Sequence, residues 1–470
     1  MYNTTRSFFA VLLTSTILLS ACTEPAGQQN SGIETPTLWS RLTGTASGPS
    51  NQPLVANNDA DVDQTWWKHF NDPTLDSIIA EALKNNKTLQ IAAARVEEAR
   101  AGRLLAQSSL LPQINAEASA QRGNQGFATA NKVVNISQAD IAATWELDLF
   151  GGNQARTAEA KAIWQSAEAS RQAVRVGLLA EVARTYFDMR NFERQVAIAR
   201  ENLDTQKKTL ELIKVQKEGA LASDFDVQRA AAQVSDTEAL IPNLQTAYDT
   251  SLNRLNVLLG YAPGSKDAML TAKAEMKPLD QHIVISAPAK VLAERPDVRA
   301  AERQFAASIS ARRAAVAELF PDISLTALFG AQSATPFSST PWGVGASLVQ
   351  PVLNFGRIES QIDAADARQK QAFLNYQQTV LQALENMENA LSGYIHETTR
   401  NAALTAGVAQ NRKATALAKE QYQNGYTGLL DLLVEQRNLL DAEANQAASD
   451  ANLRKDLVNI YAAAGGGWKE

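Results

Sequence analysis

The spacing of apolar residues predicts short strands along parts of the chain. Apolar and polar residues alternate over residues 114–121, and a second alternating run covers residues 140–149. A period of two predicts β-strands with one apolar and one polar face. Residues 123–126 are rich in Gly, Asn and Gln, so the two runs predict a hairpin. The pattern returns at residues 323–329 and 344–348. Taken alone, it also fits a pair of soluble hairpins, each half buried on a core.

Each hairpin is followed by a helical segment that is too long for an ordinary globular domain. Residues 153–218 contain no Pro and a single Gly, and a helix of this length would span roughly 100 Å. Apolar residues recur every seven positions here and in the returning segments 227–255 and 432–460. Such heptads predict helices packed side by side as a coiled coil. Pro242 lies inside the first returning helix, where we expect a bend or an interruption.

One block of about 200 residues occurs twice in the chain. Pro112 returns as Pro321, 209 residues later, and Phe150 returns as Phe355, 205 residues later. The remaining matches pair Gly151 with Gly356, Gly219 with Gly425, Asp226 with Asp431, and Gly260 with Gly465. Constant order and spacing over the whole span predict a duplicated domain and not a short solenoid repeat.

The repeat predicts a domain organisation with five parts. They are a signal peptide (1–21), a lipidated N-terminal tether (22–60), a first repeat (61–265), a linker or equatorial segment (266–290) and a second repeat (291–470). The first repeat comprises a helix, a strand pair at 112–149 and helices at 153–260. The second comprises a helix, a strand pair at 322–353 and helices at 358–463.

The N-terminus has the pattern of an export signal. Arg6 is its single charge, and an apolar core runs over residues 8–19. That core is too short for a transmembrane helix and is typical of a secretory signal. Residues 19–22 read Leu-Ser-Ala-Cys, the pattern of a bacterial lipobox, which makes Cys22 the predicted acylation site. Acyl chains on Cys22 would hold the protein on a membrane; an ordinary signal with an incidental Cys is the alternative.

Composition removes several classes of function. The chain has 470 residues, a net charge of −6, one Cys and three His. The acidic balance argues against nucleic acid as the main partner, and a single Cys excludes an internal disulfide framework and a thiolate zinc site. The sequence lacks the G-x-S-x-G, HExxH and P-loop motifs, and its terminal Gly465–Gly467 run is expected to be a flexible end. We therefore expect no enzyme activity, no cofactor other than the lipid, and no metal.

A membrane-crossing part of the mature chain would have to be a closed β-barrel. No window after the signal approaches 18 uninterrupted apolar residues, and open strand edges are not tolerated in lipid. Four strands per chain cannot close a barrel, whereas three copies would supply twelve strands around an aqueous lumen. The same three copies would supply twelve antiparallel helices that continue the barrel as a tube. The alternative is a lipid-anchored periplasmic coiled-coil scaffold with soluble hairpins.

An ordered set of motifs over nearly all of the mature chain carries a family resemblance. The motifs begin at residues 19 (LSAC), 66 (WW), 72 (DPTL), 111 (LPQI), 148 (DLFG), 219 (GALASDFDV), 294 (ERPDV), 354 (NFGR) and 464 (AGGGW). In this set the chain resembles the TolC-like outer membrane factors, specifically the lipoprotein branch of RND-type efflux systems, the NodT-like group.

The resemblance implies an α+β membrane protein and its partners. The fold would be a trimeric 12-stranded β-barrel continued by a 12-helix coiled-coil tunnel through the periplasm. It would passively conduct small molecules, such as drugs or other toxic compounds, from an inner-membrane RND-type pump and a periplasmic adaptor to the exterior. A duct for type I protein secretion is an alternative. The adaptor would contact the helical tips, here Gly219, Ala220, Leu221, Ala222, Ser223, Gly425, Tyr426, Thr427 and Gly428, unless these residues only make the turns.

The resemblance also implies a gate at the periplasmic end. Family members close this end with inward-pointing carboxylates and a network around a Tyr, and the matching residues here are Asp431 and Tyr422, with Asp226 as the first-repeat counterpart. Threefold symmetry would bring three Asp431 side chains into one ring. Position 434 is Val, followed by Glu435, which puts a second acidic ring in doubt. Alternatively, Asp431 is only a carboxylate favoured by a helix N-terminus.

Overall fold

The computed structural model describes residues 30–43, 54–56, 61–124, 133–272, 283–334 and 337–468. Cys22 and the predicted signal peptide lie outside these ranges, as do parts of the predicted tether and linker. Within the described ranges, no helix combines the length and the apolar character needed to cross a membrane.

Each repeat contains two shorter helices, an antiparallel strand pair and two long helices. The first has α1 (Pro73–Asn85), α2 (Lys87–Ser108), β1 (Gln113–Asn124), β2 (Val133–Leu147), α3 (Gly152–Glu218) and α4 (Asp224–Leu258). The second has α5 (Pro288–Glu294), α6 (Pro296–Ala317), β3 (Asp322–Ala334), β4 (Trp342–Val349), α7 (Arg357–Gln423) and α8 (Leu429–Ala463). Shorter elements cover Ser40–Thr43, Leu54–Ala56, Trp66–Phe70, Asp267–Leu270, Ile283–Ile285 and Phe337–Ser339. The longest helices of the two repeats have the same length: α3 and α7 contain 67 residues each.

Local sequence explains where these helices begin. Asp72 caps α1 by accepting a hydrogen bond from the Thr74 amide at 2.9 Å, and Asn86 caps α2 in the same way through the Leu89 amide. Gly151 and Gly356 precede the two long helices with φ of 77° and 80°. A left-handed residue at these positions turns the chain out of the hairpin and into the helix, and glycine takes that conformation without a Cβ penalty.

The four main strands form one antiparallel sheet in the order β1-β2-β3-β4. Ile141 pairs with Ala116 of β1 on one side and with Phe329 of β3 on the other, and Phe329 pairs with Trp342 of β4. The sheet therefore ends at β1 and at β4, and within the described part of the chain the outer edges of these two strands have no further strand beside them.

The long helices form a wall of four at every height. Near the sheet, α3 packs between α2 and α6, and α6 packs against α7. Farther away, α4 and α8 take the places of α2 and α6, so that the order becomes α4-α3-α8-α7. The edges of the wall are α2 or α4 on one side and α7 on the other. The helix α4 continues through Pro242, so of the expected bend or interruption the interruption does not occur. Pro242 is exposed, and water can solvate the carbonyl that its missing N–H leaves unbonded.

The main apolar core lies where the helices exchange places. Trp66 is fully buried, stacks on Tyr461 with ring centroids 5.5 Å apart, and contacts the C-terminal glycines. A Cβ added to Gly467 would lie 2.6 Å from the Leu179 side chain, and a Cβ added to Gly466 would lie 2.6 Å from the Asp63 carbonyl oxygen. The expectation of a flexible glycine end was therefore wrong: the run is glycine because it packs beneath Trp66.

Part of the predicted tether is packed onto this core. Trp39 is 1% exposed and donates a hydrogen bond from Nε1 to the Ser286 carbonyl at 2.9 Å. The Ser40 amide donates to Glu388 on α7 at 2.6 Å. The buried apolar surface of Trp39 thus holds a segment whose other residues are mostly polar.

Candidate channel surfaces and gate

One face of the sheet is apolar and exposed. Cross-strand partners lie on the same face, and the register places one set of residues together: Ile114, Ala116, Ile141, Ala143, Trp145, Leu147, Ile323, Leu325, Ala327, Phe329, Trp342, Val344, Ala346 and Leu348. Ile114 is 70% exposed, Trp342 75% and Val344 80%. An exposed apolar face of this extent is typical of a surface that lies against a membrane or another protein. The predicted division into an apolar and a polar strand face is thus present in the register.

The opposite face of the sheet is mostly polar. Glu117 pairs with Asp140, and Gln113 pairs with Thr144. Asp140 accepts a hydrogen bond from Gln138 at 2.6 Å. It also lies against Gly330: a Cβ added to Gly330 would be 2.7 Å from the Cβ of Asp140. Acidic and hydroxyl side chains on this face suit contact with water.

The turn between α3 and α4 contains a strained alanine. The Leu221 amide donates to the Gln216 carbonyl at 2.7 Å, which closes the helix end, and Ala220 has φ of 57°. In the second repeat the Tyr426 amide donates to the Gln421 carbonyl at 2.9 Å, and Gly425 has φ of 77°. Matching these bonds pairs Ala220, and not Gly219, with Gly425. The match of Gly219 with Gly425 was therefore wrong by one position, because the φ of Gly219 is −81°.

We expect Ala220→Gly to stabilise this turn by about 1 kcal/mol, because the left-handed conformation costs an L-residue roughly 1–2 kcal/mol. Gly425→Ala should cost a similar amount in the second turn, although its Cβ would meet no atom within 4 Å. Amide hydrogen exchange over the two turns measures both changes. Equal exchange in wild type and Ala220→Gly would show that the strain is absent.

The predicted adaptor-contact residues lie at the tips of the two helix pairs. Leu221 and Tyr426 are each 83% exposed, and Phe225 is 64% exposed. The two tips are held side by side by an apolar cluster in which Ile213 of α3 meets Leu429 of α8. Exposed apolar side chains on a fixed platform suit contact with another protein.

The structure brings Tyr422 to the junction of the two helix pairs. Its hydroxyl donates to Oε1 of Gln216 on α3 at 2.6 Å, and its ring packs against the apolar cluster between the tips. Partial burial, together with the negative charge of Asp226, raises the pKa of Tyr422. Tyr422 therefore stays a neutral hydrogen-bond donor at physiological pH and links the two repeats.

The acidic residues of the predicted gate differ in their contacts. Asp226 forms a capping box with Ser223, accepting from the Ser223 amide at 3.0 Å and from its hydroxyl at 2.6 Å. These bonds lower the pKa of Asp226, so their contribution to stability is present at neutral pH and disappears only as the pH falls through that lowered value. Asp431 is exposed and accepts from Thr427 Oγ1 at 2.6 Å. The Glu435 carbonyl accepts from Thr415 at 3.0 Å.

Sequence reasoning did not select Gln216 as the partner of Tyr422. It also missed the ion pair between Lys217 and Asp224 in the first turn. The repeat could have indicated both contacts. Lys217 occupies the first-repeat position of Tyr422, so the first turn cannot make the tyrosine hydrogen bond of the second.

Comparison with known proteins identifies the family. The sequence model of the outer membrane efflux protein family matches residues 78–261 and 287–466. The chain belongs to the outer membrane efflux protein family. The pyoverdine export outer membrane protein OpmQ of Pseudomonas aeruginosa is 29% identical over 97% of this chain and 96% of its own length. Nodulation protein T of Rhizobium leguminosarum bv. viciae is 31% identical over 86% of this chain and 84% of its own length.

A solved structure supports the same assignment. The outer-membrane channel OprN superposes with a TM-score of 0.84 at 30% identity, over 94% of this chain and 98% of its own. The resemblance to the NodT-like group and the predicted fold class are confirmed: each chain supplies four strands and the long helices of a TolC-like outer membrane channel. The efflux protein is an outer membrane channel that extends into the periplasm. No group of His, Cys, Asp and Glu side chains among its described residues could hold a metal ion.

Proposed function

We propose that three copies of this outer membrane efflux protein form one channel that carries small molecules out of the cell. The observation that carries the proposal is the open sheet: an apolar face ends at β1 and β4, whose outer edges pair with no other strand among the described residues. Unpaired backbone groups are costly in lipid. Joining β4 of one copy to β1 of the next satisfies both edges and gives twelve strands, enough to leave a water-filled lumen.

The helical wall favours the same assembly. It also has two edges, and these carry exposed apolar residues: Ile91, Leu104 and Leu105 on α2, Leu240 on α4, and Leu374, Leu381 and Leu417 on α7. Side-by-side joining of three walls covers these residues and continues the barrel as a tube. A 67-residue helix is about 100 Å long, which suits the space between two membranes.

The size of the purified protein in detergent and its ion conductance in planar lipid bilayers test this function. The channel hypothesis expects trimers by light scattering in detergent, heat-modifiable electrophoretic mobility and discrete ion conductance. The competing hypothesis of a lipid-anchored periplasmic scaffold expects a stable monomer without conductance, and that result would overturn the channel hypothesis.

The proposed partners follow from the two ends of the tube. The exposed tip residues Leu221 and Tyr426 would contact a periplasmic adaptor, which joins the channel to an inner-membrane RND-type pump. OpmQ is named for the export of pyoverdine, and a related Pseudomonas putida protein is named as a toluene efflux pump component. We infer that this chain passively conducts small molecules of the drug or toxic-compound class, with selectivity residing in the pump.

We further propose that Cys22 carries a lipid. Replacing it by Ser should reduce delivery to the outer membrane but leave some working channel, because the apolar sheet face inserts by itself. Membrane fractionation with palmitate labelling, followed by conductance of the extracted protein, measures both effects. Complete loss of membrane association in Cys22→Ser would contradict this expectation.

A further inference from the structure

We propose that the inner face of the channel wall carries a binding pocket for small zwitterions, molecules with an ammonium group, a carboxylate and an apolar body. This inference rests on the proposed function and deepens it, because it assigns a ligand class to a site in the wall of the duct. Conduction stays passive in this proposal, and the pocket retains one class of cargo on its way through the tube.

The pocket lies where α8 ends and α6 begins, between α3 and α7. Its volume is about 510 Å³, within the range of roughly 300–1,000 Å³ that small-molecule sites occupy. All four helices belong to one chain, so the pocket is complete in a single copy. The proposed trimer would contain three such pockets at one height.

Helix geometry places the pocket on the face opposite the main apolar core. In an α-helix, residues two positions apart point about 200° apart around the axis, so they lie on opposite faces. Arg184 of α3 stands two positions from each of the core residues Val182 and Tyr186. The same holds for Asn389 of α7 and Asn459 of α8, which are also flanked by core residues two positions away.

The core face of the wall is the outer face of the proposed tube. It carries Trp66, the helix α1 and the buried Trp39 of the tether. Three copies of these elements inside the tube would obstruct it, so a conducting channel has them outside. The pocket therefore opens towards the lumen, along the path of the cargo.

The pocket contains two opposite charges that are not paired with each other. The Arg184 guanidinium donates to Asn459 Oδ1, a neutral acceptor, at 2.9 Å. The half-buried Asp456 lies against Gly393 of α7, where an added Cβ would be 3.5 Å from Asp456 Oδ1. Within the described part of the chain, neither charge forms an ion pair.

The neighbouring charged side chains already have partners inside the protein. Lys455 of α8 pairs with Asp188 of α3 at 2.7 Å. At the end of the pocket nearer the sheet, Arg295 pairs with Asp297 at 2.6 Å. The two unpaired charges therefore remain for a ligand, and a ligand that matches both must itself carry one positive and one negative group.

The Asp456 carboxylate is suited to the ammonium group. Burial and the negative charge of Glu397 raise the pKa of Asp456, because both oppose its charged form. Glu397 itself forms an ion pair with Arg400 at 2.9 Å. A cationic group on a ligand would offset the cost of keeping Asp456 charged in this position.

The Arg184 guanidinium is suited to the carboxylate of the same ligand. Its planar donors match a carboxylate in geometry and charge. Val176, Ala180 and Ala390 belong to the same lining and give the ligand's body an apolar wall. An ammonium, a carboxylate and an apolar body are thus each matched by one part of the pocket.

Fluorescence anisotropy of norfloxacin tests the site on the full-length trimer in detergent. Norfloxacin is a fluorescent zwitterion, its ethyl ester lacks the carboxylate, and N-acetylnorfloxacin lacks the ammonium group. The wild-type protein should bind norfloxacin about tenfold more tightly than either derivative, because each derivative loses one charge-assisted contact. Equal affinities for the three compounds would overturn the proposal.

Two variants assign the ends of the ligand. Asp456→Asn should weaken norfloxacin binding about tenfold and leave N-acetylnorfloxacin unaffected, whereas Arg184→Gln should weaken norfloxacin as much and leave the ethyl ester unaffected. Glu385→Gln is the control, because Glu385 is an exposed carboxylate of α7 outside the pocket lining, and its binding should match wild type. An equal loss for all three compounds in either variant, or no loss at all, would contradict the assigned contacts.

The pocket and the proposed function fail separately. Trimers that conduct ions but do not distinguish the three compounds would overturn the pocket and leave the channel standing. A protein that forms no conducting trimer would overturn both.

Discussion

The combined substitution of Asp431→Ala and Tyr422→Phe should raise the open fraction of the channel in planar bilayers without adaptor or pump. Tyr422→Phe removes the 2.6 Å hydrogen bond to Gln216 that links the two helix pairs. A bond of this kind contributes about 1 kcal/mol. Three copies opening together would lose about 3 kcal/mol, which shifts the ratio of closed to open channels roughly a hundredfold. Single-channel recording measures the shift.

The contribution of Asp431 is electrostatic in this hypothesis. Three exposed carboxylates near one axis would attract cations into the constriction, so Asp431→Ala alone should also weaken cation preference in reversal-potential measurements. Asp226→Asn gives the comparison from the first repeat: Asp226 accepts the bonds of the capping box with Ser223, and we expect its replacement to change conductance less than Asp431→Ala does. Unchanged conductance in the double variant would remove Asp431 and Tyr422 from the gate.

Two periodicities made most of the fold predictable from sequence. Alternation over residues 140–149 predicted the strand that the structure extends to Val133–Leu147, and the Pro-free heptad segment predicted α3 nearly to the residue. Both signals are strong because they persist over many residues, whereas propensity at a single position is weak. The offsets of the duplicated block then predicted the second hairpin and helix pair.

Features that depend on single close contacts could not be predicted from the sequence. Trp39 lies in a polar segment, and its burial depends on residues far along the chain, among them Ser286, whose carbonyl accepts its Nε1–H. The Gly465–Gly467 run has the composition of a flexible end but is required by the approach of Trp66 and Leu179. In the candidate gate, the family resemblance implied Tyr422 and Asp431, while Gln216, the partner of Tyr422, became apparent only in the structure, where the two tips lie side by side.

Gly260 shows how strongly one such contact can constrain the fold, and we expect Gly260→Ala to be among the most damaging small substitutions. Gly260 follows α4 with φ of 82°, and an added Cβ would lie 2.3 Å from the Asn85 carbonyl oxygen. The neighbouring Asn86 side chain donates to the Leu258 carbonyl at 2.8 Å, which ties the start of α2 to the end of α4. The substitution must separate these ends. Left-handed strain of about 1–2 kcal/mol and overpacking of about 1–3 kcal/mol give a total cost of about 2–5 kcal/mol.

Gly264→Ala separates the two terms of this cost. Gly264 has a similar φ of 86°, but an added Cβ would meet no atom within 4 Å. It should therefore show the backbone strain alone, about 1–2 kcal/mol. Thermal unfolding followed by circular dichroism, together with trimer yield, compares the two variants. Equal losses in both would mean that backbone strain accounts for the whole effect and that the helix ends can move apart at Asn85. A larger loss in Gly260→Ala would show that the place where α2 replaces α4 in the wall is held by direct backbone contact.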